Sequence, residues 1–308
     1  MAGFGKAKEI QVKEEEAEEL ASTPVTKRTD SGAFAALRAE FEELQNQGGP
    51  KTHIFMGIIG HENTGKSGIV LDFFQKYCDE TEEPKHLAVL DFDGGGAATK
   101  SAFYPDNKSI RCWDPWVMQT GDRTAYDYPA THDRVMSILQ YTLSEHDQYW
   151  GVLVTGVDLW DSVATNCMRI ADLGLAKDGI DAADNRGAGT GRRVEYQWDW
   201  AIRTTRFHQM TALCRGLVKR GVRVFWETHL KMTNYSSNNE SNAQWRPAWE
   251  KASNNYLYQI IQCERNDTYD DDGNLTLSEF TATFEKSKTD AALQGQKNVI
   301  LRTEQGKK

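Results

Sequence analysis

From about Lys51 onward, short apolar runs alternate with longer stretches in which apolar residues return every three or four positions. His53-Ile54-Phe55-Met56-Gly57-Ile58-Ile59 reads as a first buried strand. Ser67 to Tyr77 follows, with Ile69, Val70, Phe73, Phe74 and Tyr77 on one helical face. His86 to Leu90 is a second strand, ending in Asp91-Phe92-Asp93 and a turn at Gly94-Gly95-Gly96. Ile110 to Trp113 is a short third strand, stopped by Asp114-Pro115. A helix is expected from about His132 to Ser144, then a strongly apolar fourth strand from Trp150 to Val157. A long helix from about Val194 to Arg220 is closed by Gly221. Val222 to Trp226 forms the fifth strand, and Tyr256 to Arg265 and Leu275 to Lys286 form an antiparallel pair. This alternation predicts an α/β fold: a mainly parallel sheet covered by helices, with a C-terminal antiparallel hairpin.

The first fifty residues break the pattern. Glu14, Glu15, Glu16, Glu18 and Glu19 form an acidic run, and Ala21 to Ser31 is polar. Such a segment buries too little apolar surface to order itself alone. Only Phe34, Leu37, Phe41 and Leu44 recur at helical spacing, before Gln47-Gly48-Gly49-Pro50 ends the run. Residues 1–50 are therefore expected to be a partly disordered appendage with one helix, and residues 51–308 one large domain.

Composition narrows the class. With 39% apolar residues and nine Trp among 308 residues, the chain can bury a full core. It has no apolar stretch of about eighteen residues and no apolar signal core, so neither a membrane span nor secretion is expected. Cys78, Cys112, Cys167, Cys214 and Cys263 lie far apart without a C-x-x-C pair, which suits reduced thiols in a cytoplasmic protein. A formal net charge of −9 argues against a nucleic-acid binder of the uniformly basic kind but allows a local basic groove.

The most specific chemistry lies between the first strand and its helix. Gly60-His61-Glu62-Asn63-Thr64-Gly65-Lys66-Ser67 spells G-x-x-x-x-G-K-S. Glycines let consecutive N–H groups point at phosphate oxygens, and the helix N-terminus adds partial positive charge. Lys66 can reach β- and γ-phosphates, and the Ser67 hydroxyl can take a place on Mg²⁺. A strand before and a helix after are the context this loop requires, so ATP with Mg²⁺ is the expected ligand. Asp93, at the carboxyl end of the second strand, is placed to face that loop. Farther on, Asp270, Asp272, Gly273 and Glu279 match part of a calcium loop, with Thr268 where its first Asp belongs. The flanks alternate like strands, so Asp272-Gly273 is read as a hairpin turn instead.

The order of motifs resembles the RecA-like recombination ATPases, closest to the phage P-loop proteins of single-strand annealing and recombination. The resemblance spans about Lys51 to Leu301. It rests on G-H-E-N-T-G-K-S, V-L-D-F-D-G-G, V-L-V-T-G-V-D-L-W, V-F-W-E-T-H-L-K and F-E-K-S-K-T. It implies a RecA-like core, with Asp93 as the water-activating carboxylate and His229 as the γ-phosphate sensor. Lys286 and Lys288 would reach a neighbouring subunit's nucleotide, which requires a ring or filament of identical chains. One position departs from the family: Thr155 stands where an Asp usually bonds the metal's water shell. Ser67, Thr155 and Asp158 are the expected metal-side residues, with Asp161 just beyond. Either a neighbouring carboxylate substitutes, or the protein binds nucleotide and hydrolyses it poorly.

In the resembling proteins the loops after the fourth and fifth strands line a DNA groove. Here these are Leu173 to Arg193, with Arg192 and Arg193, and Asn234 to Asn255, with Trp245, Arg246 and Trp249. Cations beside aromatic platforms suit a sequence-tolerant single-strand site. The resemblance therefore implies single-stranded DNA as a partner, with a phage single-strand-binding protein alongside and no membrane. A helicase-type motor on the same core and a small-molecule phosphotransferase are the alternatives.

Overall fold

The computed structural model describes residues 54–173, 197–233 and 244–304. The appendage over residues 1–50, and Arg192 and Arg193, lie outside the described residues. All that follows concerns the unit Thr52–Lys308.

Eleven strands are described: β1 (Phe55–Gly60), β2 (His86–Asp91), β3 (Ile110–Trp113), β4 (Met118–Gln119), β5 (Asp122–Tyr126), β6 (Tyr149–Thr155), β7 (Arg223–Thr233), β8 (Gln244–Pro247), β9 (Gln259–Tyr269), β10 (Leu275–Ser287) and β11 (Lys297–Glu304). Six α-helices accompany them: α1 (Lys66–Asp79), α2 (Gly95–Phe103), α3 (Tyr128–Ser144), α4 (Val157–Cys167), α5 (Gln197–Lys219) and the single turn α6 (Ser253–Tyr256). The main sheet runs β11-β10-β9-β1-β7-β6-β2-β3, with β8 added to β7. From β9 to β3 the neighbours are parallel; β10 and β11 are antiparallel additions at one edge. The expected α/β class and its C-terminal hairpin are therefore present.

Side-chain alternation decides what each face holds. Ile58, Leu87, Val89, Leu153 and Phe225 pack under Val70, Leu71 and Phe74 of α1. Ala88, Leu90, Val152, Val154, Val224 and Trp226 point the other way, into a larger core with Val135, Trp160, Phe207 and Met210 from α3, α4 and α5. Both faces are buried, which explains why the central strands read as continuous apolar runs.

Local chemistry sets the boundaries. Asp127 starts α3 by accepting a 3.0 Å hydrogen bond from the Ala130 amide, with proline in the first turn. Gly221 closes α5, and the Val222 amide donates back to the Leu217 carbonyl at 3.1 Å. The turn of β9 into β10 is held by Asp270, whose Oδ1 accepts from the amides of Asp272 and Asn274 at 3.0 and 2.7 Å. It is the hairpin rather than a helix-flanked calcium loop.

Several elements differ from the sequence reading. Gly94-Gly95-Gly96 opens α2 instead of forming only a turn, because Asp91 accepts from the amides of Gly96 and Ala97 at 3.0 and 2.7 Å. Val157 begins α4 and does not end β6. The fifth strand continues past Trp226 to Thr233, since its second half finds β8 as an antiparallel partner. No helix among the described residues is long and apolar enough to cross a membrane.

Candidate functional site

β1 ends at Gly60, and the chain turns through residues 61–65 into α1. Gly65 adopts φ 80° there, a left-handed conformation that a side chain would strain. Its α-carbon also faces the Phe280 ring, which a β-carbon would meet at 3.2 Å. Helix α1 has no side-chain N-cap and no acidic residue in its first turn. Its leading amides are therefore available to an anion, and the helix dipole favours one. Lys66 is buried and donates to the carbonyls of His61 at 2.7 Å and Gly60 at 3.4 Å. The sequence thus builds a cationic nest over the sheet's carboxyl edge.

Opposite the nest, Ser67 donates from Oγ to Glu227 Oε2 at 2.8 Å. Glu227 is only 1% exposed, on the same face of β7 as Phe225. Its other oxygen, Oε1, has no hydrogen-bond partner among the described residues. Burial pushes its carboxyl up to about 8, with the charges of Asp93 and Asp91 adding to the rise while Ser67 and Lys66 oppose it. The sequence reading missed this residue. The available signal was a Glu within V-F-W-E-T, inward-facing by alternation in a strand buried on both sides.

Asp91 and Asp93 diverge although they follow the same strand. Asp91 is buried, with its oxygens committed to the start of α2 and to Thr155. Asp93 is exposed and lies at the loop: its Oδ1 accepts from the Gly95 amide at 3.0 Å. A β-carbon placed on Gly95 would meet both Asp93 Oδ1 at 3.2 Å and Ser67 Oγ at 3.7 Å. Asp93 and Ser67 therefore share one corner of the nest.

Of the expected metal-side residues, Ser67 sits at the nest and the other two are engaged elsewhere. Thr155 is fully buried and donates from Oγ1 to Asp91 Oδ1 at 2.8 Å. Asp158, in the first turn of α4, accepts from Thr228 at 3.2 Å and lies 3.4 Å from His229 Nδ1. Burial works to raise the Asp158 carboxyl, but the bonds from His229 and Thr228 outweigh it and hold the group low. The same contact raises His229, against burial and the nearby Lys66. His229 is paired with Gly60 in the β1–β7 register, beside the start of the loop. Asp161 pairs with Arg203 of α5 at 2.5 Å.

The aromatic candidates separate sharply. Trp245 on β8 is half-exposed, and its ring meets His61 edge-on at 4.6 Å. It lines a cleft of about 640 Å³ beside the loop, together with Asn63, Arg265 and Asp267. Arg246 follows on β8, opposite Lys231. Trp249, expected as a DNA platform, is instead a core residue at 4% exposure. It packs so closely on Gly57 that any β-carbon there would come within 2.4 Å of its ring. Its indole N–H donates to Asn254 at 2.9 Å, so neither face nor edge is offered to a base.

Lys286 and Lys288 lie far from their own nest. Lys286 donates to the Asn254 carbonyl, and Lys288 donates to the Asn255 carbonyl at 2.7 Å. Desolvation and the neighbouring Lys288 lower the Lys286 ammonium. Among the described residues no three His, Cys, Asp or Glu side chains group as a metal cage. A Mg²⁺ held mainly by phosphates, one hydroxyl and an outer carboxylate needs no such cage. Compared with known proteins, the chain matches no family model and no curated sequence.

Proposed function

We propose that this protein is a P-loop nucleoside triphosphatase with a RecA-like core, binding ATP with Mg²⁺ and coupling it to single-stranded DNA in phage recombination, annealing or replication. The observation that carries the first half is the nest: an uncapped helix N-terminus, a buried Lys66 and the Ser67–Glu227 hydrogen bond, all at the carboxyl edge of a parallel sheet. Lys66 would leave the His61 carbonyl for a phosphate, and Ser67 would help hold Mg²⁺, which supplies charge neutralisation at the transferring group when bound. Asp93 would orient the attacking water, and His229 would report on the γ-phosphate.

The DNA half rests on the resemblance and on Trp245, whose exposed ring touches the loop through His61. A base stacked there would bear directly on the nucleotide site. Cytoplasmic location and self-association belong to the same proposal.

The deciding experiment is titration with a fluorescent ATP analogue, followed by hydrolysis with and without single-stranded DNA. Lys66→Ala should weaken binding or turnover at least tenfold, about 1.4 kcal/mol. DNA should stimulate hydrolysis in the wild type, with binding that weakens steeply as salt rises. Unchanged nucleotide binding and unchanged hydrolysis in Lys66→Ala would remove the proposal. Transfer of phosphate to a small acceptor, without DNA stimulation, would favour the phosphotransferase.

A further inference from the structure

Three neighbouring strands bring three polar residues into one row on the α1 face. Asp91 of β2 is paired with Thr155 of β6. Val154 is paired with Trp226, so Thr155 and Glu227 each follow their partner by one residue on β6 and β7. The row Asp91–Thr155–Glu227 runs beneath Ser67, and two hydrogen bonds divide it. Thr155 donates to Asp91, and Ser67 donates to Glu227, both at 2.8 Å.

This arrangement explains the threonine. Asp91 already holds the start of α2 with both oxygens, and it contacts position 155 directly. A second carboxylate at 155 would place like charges in contact within a dry layer, which is strongly unfavourable. A threonine donates instead and leaves Asp91 fully partnered. The carboxylate that Ser67 needs then arrives from one strand farther along, on Glu227. That group is nearly inaccessible, and its Oε1 lacks a partner among the described residues. Burial disfavours the charged form of this carboxyl, added positive charge beside it would favour the carboxylate, and Oε1 is the oxygen left to accept a donor there.

We infer that Glu227 is the outer-shell carboxylate of the Mg²⁺ carried by the nucleotide, a role moved from β6 to β7. One oxygen would hold the Ser67 hydroxyl toward the cation while Oε1 accepts from a cation-bound water. Asp93 is left free for the attacking water on the exposed side. The inference rests on the triphosphate-binding reading, and the test separates the two.

The test measures affinity for a non-hydrolysable fluorescent ATP analogue in EDTA and in Mg²⁺, with Mn²⁺ binding to the same complex followed by electron paramagnetic resonance. Wild type should bind more tightly with Mg²⁺. Glu227→Gln, nearly equal in shape, should keep its affinity in EDTA within about threefold while the Mg²⁺ enhancement falls at least tenfold. The Mn²⁺ signal should weaken in parallel. Ser67→Ala, which changes no buried residue of the sheet, should lose the same enhancement, and the double variant should lose little more. A full Mg²⁺ enhancement in folded Glu227→Gln would overturn the inference. So would additive losses in the double variant, or loss of the enhancement in Asp93→Asn but not in Glu227→Gln. Failure of the wild type to bind the analogue under either condition would overturn the triphosphate-binding reading itself, and this inference with it.

Discussion

Asp158 and His229 favour each other's charged form at the rim of the site, 3.4 Å apart. His229 is raised in the folded state, so its contribution to stability is complete below the unfolded histidine value, near 6.5. That contribution disappears as pH rises through the higher folded value. Asp158 is lowered, so its share is present above the usual carboxylate range and is lost only in acid. Both side chains keep partial contact with solvent, which limits the effect to about 1 kcal/mol or less. The melting temperature of wild type should therefore fall by about 2 °C more than that of His229→Gln between pH 5.5 and 8.5. Parallel curves for the two proteins would show that the pair contributes nothing. The two tryptophans give a second contrast at this scale. Trp249→Ala should lower stability by about 3–5 kcal/mol in denaturant titration, as loss of a core ring does. Trp245→Ala should leave stability within about 0.5 kcal/mol but weaken single-stranded DNA binding by about 1–3 kcal/mol. Both stand in one polar, Trp-bearing stretch of sequence, and only packing tells them apart: Gly57 makes room for one, and His61 props up the other.

Elements were legible where periodicity was strong and obscure where polar residues had to be buried. The strands β1, β2, β3 and β6 and helices α1, α3 and α5 follow from their apolar patterns. The apolar run of β7 stops at Trp226, because Glu227, Thr228 and His229 are polar residues whose partners Ser67, Asp158 and Gly60 only the fold supplies. Helix α2 was hidden for a related reason. Three glycines are poor helix formers, and the compensating cap, Asp91, belongs to the preceding strand. The Asp91–Thr155 bond ties that cap to β6, so Thr155→Val should cost about 1–3 kcal/mol. The loss should appear as a lower midpoint in urea with unchanged slope. A variant as stable as wild type would mean that the two amides of α2 suffice for Asp91.

On the scale of the molecule, strand register separates the paired lysines from the proposed nucleotide site of their own chain. Phe280 of β10 lies against Gly65, whereas Lys286 pairs with Ile260 about six positions farther along the strand. That is roughly 20 Å at an extended rise. In the proposed head-to-tail assembly, these lysines would meet the nucleotide of another copy of the chain rather than their own. Lys286→Ala combined with Lys288→Ala should therefore cut hydrolysis at least tenfold while nucleotide affinity stays nearly intact. Mixing that variant with Lys66→Ala should restore part of the activity, because some interfaces would join a sound loop to sound lysines. Full activity in the double-lysine variant would confine the pair to the bonds they make with Asn254 and Asn255.

The glycine-rich loop between β1 and α1 and the parallel core were determined by the sequence itself, because both are written in local order. G-H-E-N-T-G-K-S needs only a strand before it and a helix after it, and apolar runs need only a period. The carboxylate facing Ser67 was decided by tertiary structure. Ser67 and Glu227 are 160 residues apart, and they meet because β7 lies next to β1 in the sheet. Another adjacency, β6 beside β2, turned Thr155 toward Asp91, and packing against Gly57 of β1 drew Trp249 into the core. Local pattern specifies which faces are buried, but the cost of leaving a charge or donor unpartnered depends on what the fold brings beside it.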